Sequence, residues 1–144
     1  MYDTILFPTD GSELSEQGID HAVSLAQAYD AELHTLFVVD QTAFVAHPND
    51  MDREAIHDQL REAGQRSLEQ LEETAAAAGV SLATAVSAGV PHEQIVEYTE
   101  TNDVDLIVMG THGRSGLDRV LLGSTTEKVL RVSPVPVHCV PREQ

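Results

Sequence analysis

The sequence is poor in the residues that would place it in several common protein classes. It has a single cysteine, Cys139, and no tryptophan, so an internal disulfide framework is excluded and a reducing compartment is favoured. No apolar run approaches the roughly 18–20 residues that cross a bilayer, and the first residues lack the basic and apolar regions of a signal peptide. These absences predict a cytoplasmic protein that does not enter a membrane.

Basic residues are also scarce. Lys128 is the one lysine, and 8 Lys and Arg face 24 Asp and Glu for a formal net charge of −16. Such a surface repels nucleic acids and anionic membranes, so neither is an expected partner. A disordered acidic chain would lack the periodic apolar segments that this sequence has. A folded acidic domain suits concentrated salt, where the Debye length is about 3 Å at 1 M, and we therefore expect a halophilic archaeon as the source.

The charge is uneven along the sequence. Residues 110–131 hold four basic side chains against two acidic ones, namely Arg114, Arg119, Lys128 and Arg131 against Asp118 and Glu127. This segment is therefore net positive within a strongly acidic chain. Two interpretations stay open, a chance cluster on a solvated helix face or local shielding of an anion-binding site.

Apolar periodicity divides the 144 residues into alternating strands and helices. Short apolar runs predict five strands, near Thr4–Phe7, Leu33–Val39, Val80–Ala88, Asp105–Met109 and Val135–Val140. Amphipathic segments predict four helices, near Glu13–Tyr29 with Ser12 as N-cap, Arg53–Ala78 with Gly79 as C-cap, Pro91–Thr101, and Ser124–Val132. Residues 41–52 are expected to form an irregular connector.

This order of elements predicts one α/β domain over residues 1–144, a doubly wound five-stranded parallel sheet with helices on both faces. If the strand order is 3-2-1-4-5, the topological switch point lies between the first and fourth strands, and ligands bind there at the carboxyl ends. Those ends carry Pro8-Thr9-Asp10 and Met109-Gly110-Thr111-His112-Gly113. Two loops far apart in the sequence are thus predicted to meet at one crevice.

The second loop begins the most distinctive pattern of the chain, Gly110-x2-Gly113-x9-Gly123-Ser124, between a predicted strand and a predicted helix. Bare backbone N–H groups and the positive end of a helix dipole together suit a phosphate chain. Two plainer interpretations stay open, turn glycines that need a positive φ and an ordinary N-cap at Ser124 or Thr125. Nucleotide binding is the leading hypothesis.

These glycines, together with Ile5–Asp10 at the start and Asp105–Gly113 later, closely resemble the universal stress proteins, in the branch whose members bind ATP. The resemblance covers essentially the full length, and the order and spacing of the motifs agree. It implies a five-stranded parallel sheet, a homodimer and a regulatory or protective role in stress.

The resemblance also implies a set of adenine contacts. Asp10, in the loop with Thr9, would lie against the hydrogen-bonding edge of the adenine, and Val38 would supply backbone groups to it. Pro8 and Met109 would form apolar walls. Asp10 could instead be an Asx-turn or N-cap residue, and the Val38 side chain alone indicates a core position.

By the same resemblance, the remaining residues would hold ribose and phosphates. Gly110 and Gly113 would allow close approach of the backbone, and Ser124 and Thr125, following Gly123, would hold the terminal phosphates. His112 could contact phosphate or a metal-linked oxygen, or be a solvated loop histidine. Arg114 and Arg119 could face phosphate or merely offset acidic surface.

The expected ligand is ATP or another adenine nucleotide, accompanied by Mg²⁺ or Mn²⁺. The Walker pattern and the Gly-x-Gly-x-x-Gly fingerprint are absent, and no catalytic residue or protein metal ligand is assigned, so a non-catalytic regulator is favoured. A slow ATPase or phosphotransferase and a nucleotide-free dimeric interaction module are the alternatives. Pro136 cannot donate to a ladder and belongs on a sheet edge, and we expect the homodimer to form through Val135–Val140.

Overall fold

The computed structural model describes residues 1–11, 16–40, 50–111 and 123–141, with the side chains of residues 50–53 left aside. Five strands and four helices alternate within these ranges. The strands are β1 (Thr4–Thr9), β2 (Glu32–Asp40), β3 (Leu82–Gly89), β4 (Leu106–Gly110) and β5 (Val137–Val140). The helices are α1 (Ile19–Tyr29), α2 (Asp50–Ala77), α3 (Pro91–Thr101) and α4 (Ser124–Val132).

The five strands form one parallel sheet in the order β3-β2-β1-β4-β5. This confirms the predicted α/β fold and the predicted strand order 3-2-1-4-5. The chain reverses its direction of growth between β1 and β4, which places the switch point where the sequence predicted it. β5 lies at one edge of the sheet, as Pro136 indicated, and β3 lies at the other.

Alternating side chains of the strands pack into two cores, one on each face of the sheet. Ile5 and Phe7 pack with apolar residues of α1 and α2, whereas Leu6 packs on the other face with residues of α3 and α4 such as Ile95 and Val129. The central strands are apolar on both faces because helices cover both, and this explains their unbroken apolar runs. In the described ranges, no helix has the length and apolar character to cross a membrane.

β1 is longer than predicted, because it continues through Pro8 to Thr9. Backbone groups of successive residues point to opposite neighbours, and the Asp3 carbonyl accepts a bond from the Glu32 N–H at 2.9 Å. Odd-numbered residues of β1 therefore serve β2. The backbone of Pro8, an even-numbered residue, faces β4, so its missing N–H does not interrupt the pairing of β1 with β2.

The other differences lie at element ends. β5 begins at Val137 rather than Val135, with Pro136 just ahead of it. α2 runs from residue 50 to residue 77 instead of 53 to 78, and Gly79 follows it with φ +76°, the left-handed conformation expected of a C-cap glycine. α1 begins at Ile19, after a turn at residues 17 and 18, and the predicted helix start at Glu13 lies outside the described residues. The expected N-cap Ser12 and residues 41–49 of the expected connector lie outside the described residues.

Candidate functional site

β1 and β4 are neighbours in the sheet, yet their pairing covers only part of their length. The register joins Ile5 with Leu106 and Leu6 with Ile107. Both strands then continue for three further residues, to Thr9 and Gly110. The carboxyl ends of the two strands are therefore unpaired with each other, and a crevice opens at the switch point.

Pro8 lies where the pairing of β1 with β4 stops. The Thr4 carbonyl accepts a bond from the Asp105 N–H at 2.8 Å, so the even-numbered residues of β1 serve β4. Beyond the pair of Leu6 and Ile107, the next bond of this ladder would run from an N–H at position 8 to the carbonyl of Val108. Proline has no N–H to give, and the ladder ends there.

A tight turn follows β1 at the rim of the crevice. Thr9 is buried, and its Oγ1 accepts a hydrogen bond from the Gly11 N–H at 3.0 Å. Gly11 has φ +81°, and a Cβ on it would lie 2.9 Å from the Phe37 ring, so both its conformation and its surroundings favour glycine. This turn places the half-buried Asp10 at the carboxyl edge of the sheet.

β2 extends past the end of β1 and presents backbone to the crevice. Thr9 pairs with Phe37, while residues 38–40 pair with β3 alone. In this register the Val38 N–H bonds to the Thr9 carbonyl, and the Val38 carbonyl is the first acceptor beyond β1. The Gly11 N–H would be the next donor for this carbonyl, but it donates to the Thr9 side chain instead. The Val38 side chain is buried in the core.

β4 ends with one buried apolar side chain and one backbone donor. The side chain of Met109 is buried in the same core cluster as that of Val38. On the outer side of β4, the N–H of Ile107 bonds to the Pro136 carbonyl and that of Thr111 to the Val140 carbonyl, both at 3.0 Å. By alternation, the N–H and carbonyl of Gly110 face the gap toward β1.

α4 begins directly beside the end of β4. The Gly123 N–H donates to the Thr111 carbonyl at 2.5 Å, and the Gly123 carbonyl accepts from the Glu127 N–H at 2.9 Å. No side chain of the described residues caps this N-terminus. The N–H groups of the first helical turn, residues 124–126, have no acceptor within the helix. Together with the helix dipole they suit an anion.

The structure thus brings most of the predicted site residues to one edge of the sheet. These are Pro8, Thr9, Asp10, Val38, Met109, Gly110, Gly123, Ser124 and Thr125. His112, Gly113 and Arg114 lie outside the described residues, as does Arg119. Where described, the edge offers hydrogen-bond donors and acceptors beside buried apolar side chains, and no group of three or more metal-ligating side chains is found in the described part of the chain.

Sequence reasoning missed two residues that support this edge. Thr126 is buried at 4% exposure, and its Oγ1 donates to the Gly110 carbonyl at 2.8 Å. Phe37 is buried beneath Gly11. The spacing of Thr126 and Val129 on one face of α4 is a sequence signal for the burial of Thr126, but no pattern in the sequence predicts its bond partner.

Comparisons with a family model and with known proteins identify the same family. The model of the universal stress protein family matches residues 1–141. The chain is 41% identical over 140 residues to universal stress protein MJ0531 of Methanocaldococcus jannaschii, covering 97% of this chain and 82% of that protein.

Solved structures agree with this match. Protein MJ0577 of the same organism has a TM-score of 0.88 to this chain at 32% identity, covering 100% of this chain and 99% of that one. A universal stress protein solved in complex with cAMP has a TM-score of 0.65 at 30% identity, covering 99% of this chain and 98% of that one.

Proposed function

The chain belongs to the universal stress protein family, and on that premise we propose that it binds ATP as a regulatory protein of the stress response. The nucleotide is held by the Gly110-x2-Gly113-x9-Gly123-Ser124 segment. One observation carries the proposal: the separated ends of β1 and β4 lie beside a helix N-terminus that no described side chain caps. A relative solved with cAMP supports an adenine nucleotide as the ligand.

The geometry suggests how the two ends of the nucleotide are distinguished. The carbonyl of Val38 is the acceptor for the amino group of the adenine, with Asp10 beside it and Pro8 and Met109 as walls. The N–H groups of residues 124–126 are donors for the phosphates at the other end, because anions are favoured at helix N-termini. Mg²⁺ or Mn²⁺ would accompany the phosphates.

Binding without rapid turnover is the favoured activity. Phosphoryl transfer needs placed metal ligands and a group that orients the attacking water. Among the described residues, Asp10 is a carboxylate that directly follows β1 at the crevice, and we assign it to the adenine end of the site rather than to the terminal phosphate. A slow ATPase is the alternative that the experiment must separate from a pure binder.

The remaining parts of the proposal concern the molecule as a whole. We propose one domain over residues 1–144, in the cytoplasm of a halophilic archaeon, consistent with the net charge of −16. We further propose a homodimer through Val135–Val140. β5 is an edge strand, and Leu130 and Val132 of the adjoining helix are 41% and 54% exposed, which supports an apolar contact there.

Equilibrium binding of ATP, ADP and AMP with Mg²⁺ in molar KCl, with phosphate release followed in parallel, tests the function. We expect binding that strengthens with the number of phosphates and little release of phosphate. Turnover at the usual enzymatic rates of roughly 1 per second or faster would instead make the protein an ATPase. No binding of any of the three nucleotides would leave the nucleotide-free module.

A pair of matched variants locates the site. Ser124→Glu puts a carboxylate at the first position of α4, where the dipole favours it by roughly 0.3–1 kcal/mol, so the fold should be kept or slightly stabilised while ATP binding is lost through charge repulsion. Ser24→Glu, on the exposed face of α1, adds the same charge elsewhere and should bind ATP normally. Equal affinities of the two variants would exclude α4 as the phosphate site.

A further inference from the structure

The buried hydroxyl of Thr126 joins α4 to the last residue of β4. Its Oγ1 donates to the Gly110 carbonyl at 2.8 Å, and Thr126 is 4% exposed. Thr126 is the third residue of α4, so its backbone N–H belongs to the first turn and has no acceptor within the helix. One residue therefore contributes a backbone donor to the anion-binding end of the helix and a side-chain donor to the strand beside it.

This bond changes the electrostatics of the crevice. The Gly110 carbonyl faces the gap between β4 and β1, since the outer side of β4 is served by Ile107 and Thr111. A bare carbonyl oxygen there would present its negative end to an approaching phosphate, and in a partly buried site this repulsion is weakly screened. The Thr126 hydroxyl covers the oxygen with a proton.

The same bond fixes the position of the helix. The carbonyls of Gly110 and Thr111, consecutive residues at the end of β4, are each tied to the start of α4, by the Thr126 hydroxyl at 2.8 Å and by the Gly123 N–H at 2.5 Å. Two bonds three residues apart on the helix set its distance from the strand and also its rotation. The direction of the first-turn N–H groups is thereby set before a ligand arrives, which lowers the ordering cost of binding.

We infer that Thr126 is a positioning residue for the phosphate end of the nucleotide, acting through its hydroxyl on the Gly110 carbonyl rather than by touching the ligand with its side chain. The inference rests on the proposed ATP binding. The adenine end of the site should not depend on Thr126, because the Val38 carbonyl belongs to β2 and has no connection to this bond. Loss of the hydroxyl should weaken ATP and leave adenosine unaffected.

Four proteins compared with two ligands test the inference. Thr126→Val keeps the shape and removes the hydroxyl, and Thr126→Ser keeps the hydroxyl. Thr99→Val is the matched control, because Thr99 is also buried and its Oγ1 also donates to a backbone carbonyl at 2.8 Å, that of Ile95 within α3. Dissociation constants for ATP and adenosine are measured by calorimetry in molar KCl for these variants and the unmodified protein, after circular dichroism has verified the fold.

We expect Thr126→Val to bind ATP about three- to tenfold more weakly, the net effect of one hydrogen bond. Its adenosine affinity should stay within about twofold, a change below roughly 0.4 kcal/mol, because the Val38 carbonyl is not connected to the Thr126 bond. Thr126→Ser and Thr99→Val should match the unmodified protein for both ligands.

Other outcomes overturn the inference in distinguishable ways. Equal weakening of ATP and adenosine by Thr126→Val would indicate a general structural role, and unchanged ATP binding would remove any role. If Thr126→Val does not fold, Thr126→Ala is measured instead, and failure of both to fold would assign the hydroxyl to the fold alone. Absence of ATP binding by the unmodified protein would contradict the proposed function itself, and this inference with it.

Discussion

Among single residues, Tyr98 of α3 has a pKa that is shifted by its neighbours in the fold. Its hydroxyl lies 2.6 Å from Nδ1 of His34, and His34 Nε2 lies 3.2 Å from a carboxylate oxygen of Glu32. Burial, and then the negative charge of Glu32, raise the pKa of Tyr98 above its ordinary value. Both effects disfavour the phenolate, so the folded protein binds the phenolic proton more tightly than the unfolded chain does.

This environment predicts a loss of stability in alkali. Since the pKa is raised on folding, the contribution of Tyr98 is complete below its ordinary value of about 10 and falls as the pH rises through that value. Tyr98→Phe removes the hydroxyl and should be less stable than the unmodified protein at pH 8 by about 1 kcal/mol. The difference should shrink above about pH 10. Urea unfolding at several pH values measures it.

Tyr29→Phe serves as the control for that experiment, because Tyr29 is 42% exposed and its ring packs against Tyr2 rather than His34. Tyr29→Phe removes a hydroxyl without touching the contact between Tyr98 and His34, and it should be close to neutral at pH 8. A stability difference for Tyr98→Phe that stays constant across the alkaline range would contradict the predicted role of burial and of Glu32.

The sequence predicted some residue roles and missed others for a clear physical reason. Pro8 and the glycines are informative because their backbone chemistry differs from that of every other residue. The bonds of Thr126 and His34 depend on strand register and on how closely two helices approach the sheet, which no local pattern contains. The Val38 carbonyl is an intermediate case, since family resemblance implied it and the lengths of β1 and β2 explain it.

At the scale of elements, the contact between α2 and β2 depends on a glycine in the middle of a helix. Gly64 is buried against the Phe37 ring, and a Cβ at this position would overlap the ring. Alanine ordinarily stabilises a helix by about 1 kcal/mol over glycine. Here overpacking of a buried contact should dominate, at roughly 1–3 kcal/mol, and Gly64→Ala should have a lower free energy of unfolding.

Two further variants test this explanation by chemical denaturation. Gln65→Ala, at the neighbouring exposed position of α2, makes no such contact and should be close to neutral. In a Phe37→Leu background, Gly64→Ala should be less harmful than in the unmodified protein, because the smaller side chain leaves room and the two positions are in direct contact. Additive effects of the two substitutions would contradict the overlap.

Element order was predictable and element ends were not. Apolar runs and helical periodicity come from burial on two faces, so they predicted five strands, four helices and the switch point. The ends depend on specific contacts. β1 continues past Pro8 because only its β4 side needs that N–H, and Gly18, just before α1, packs closely on Phe7 and Val140. Neither circumstance is visible in a window of sequence.

At the scale of the whole molecule, the net charge of −16 opposes folding and association together, because both bring like charges closer. We therefore expect the melting temperature to rise by roughly 10 °C between about 0.1 M and 3 M KCl.

Over the same range of KCl concentration, sedimentation should shift from monomer toward the proposed homodimer through β5. The control is the same series near the isoelectric point of about 4.5, where the net charge vanishes and both responses should flatten. A melting temperature independent of KCl at neutral pH would contradict adaptation to salt. A monomer alone at micromolar concentration in molar KCl would contradict the dimer. It would leave the adaptation to salt intact, because screening of like charges stabilises the folded chain even when no partner binds.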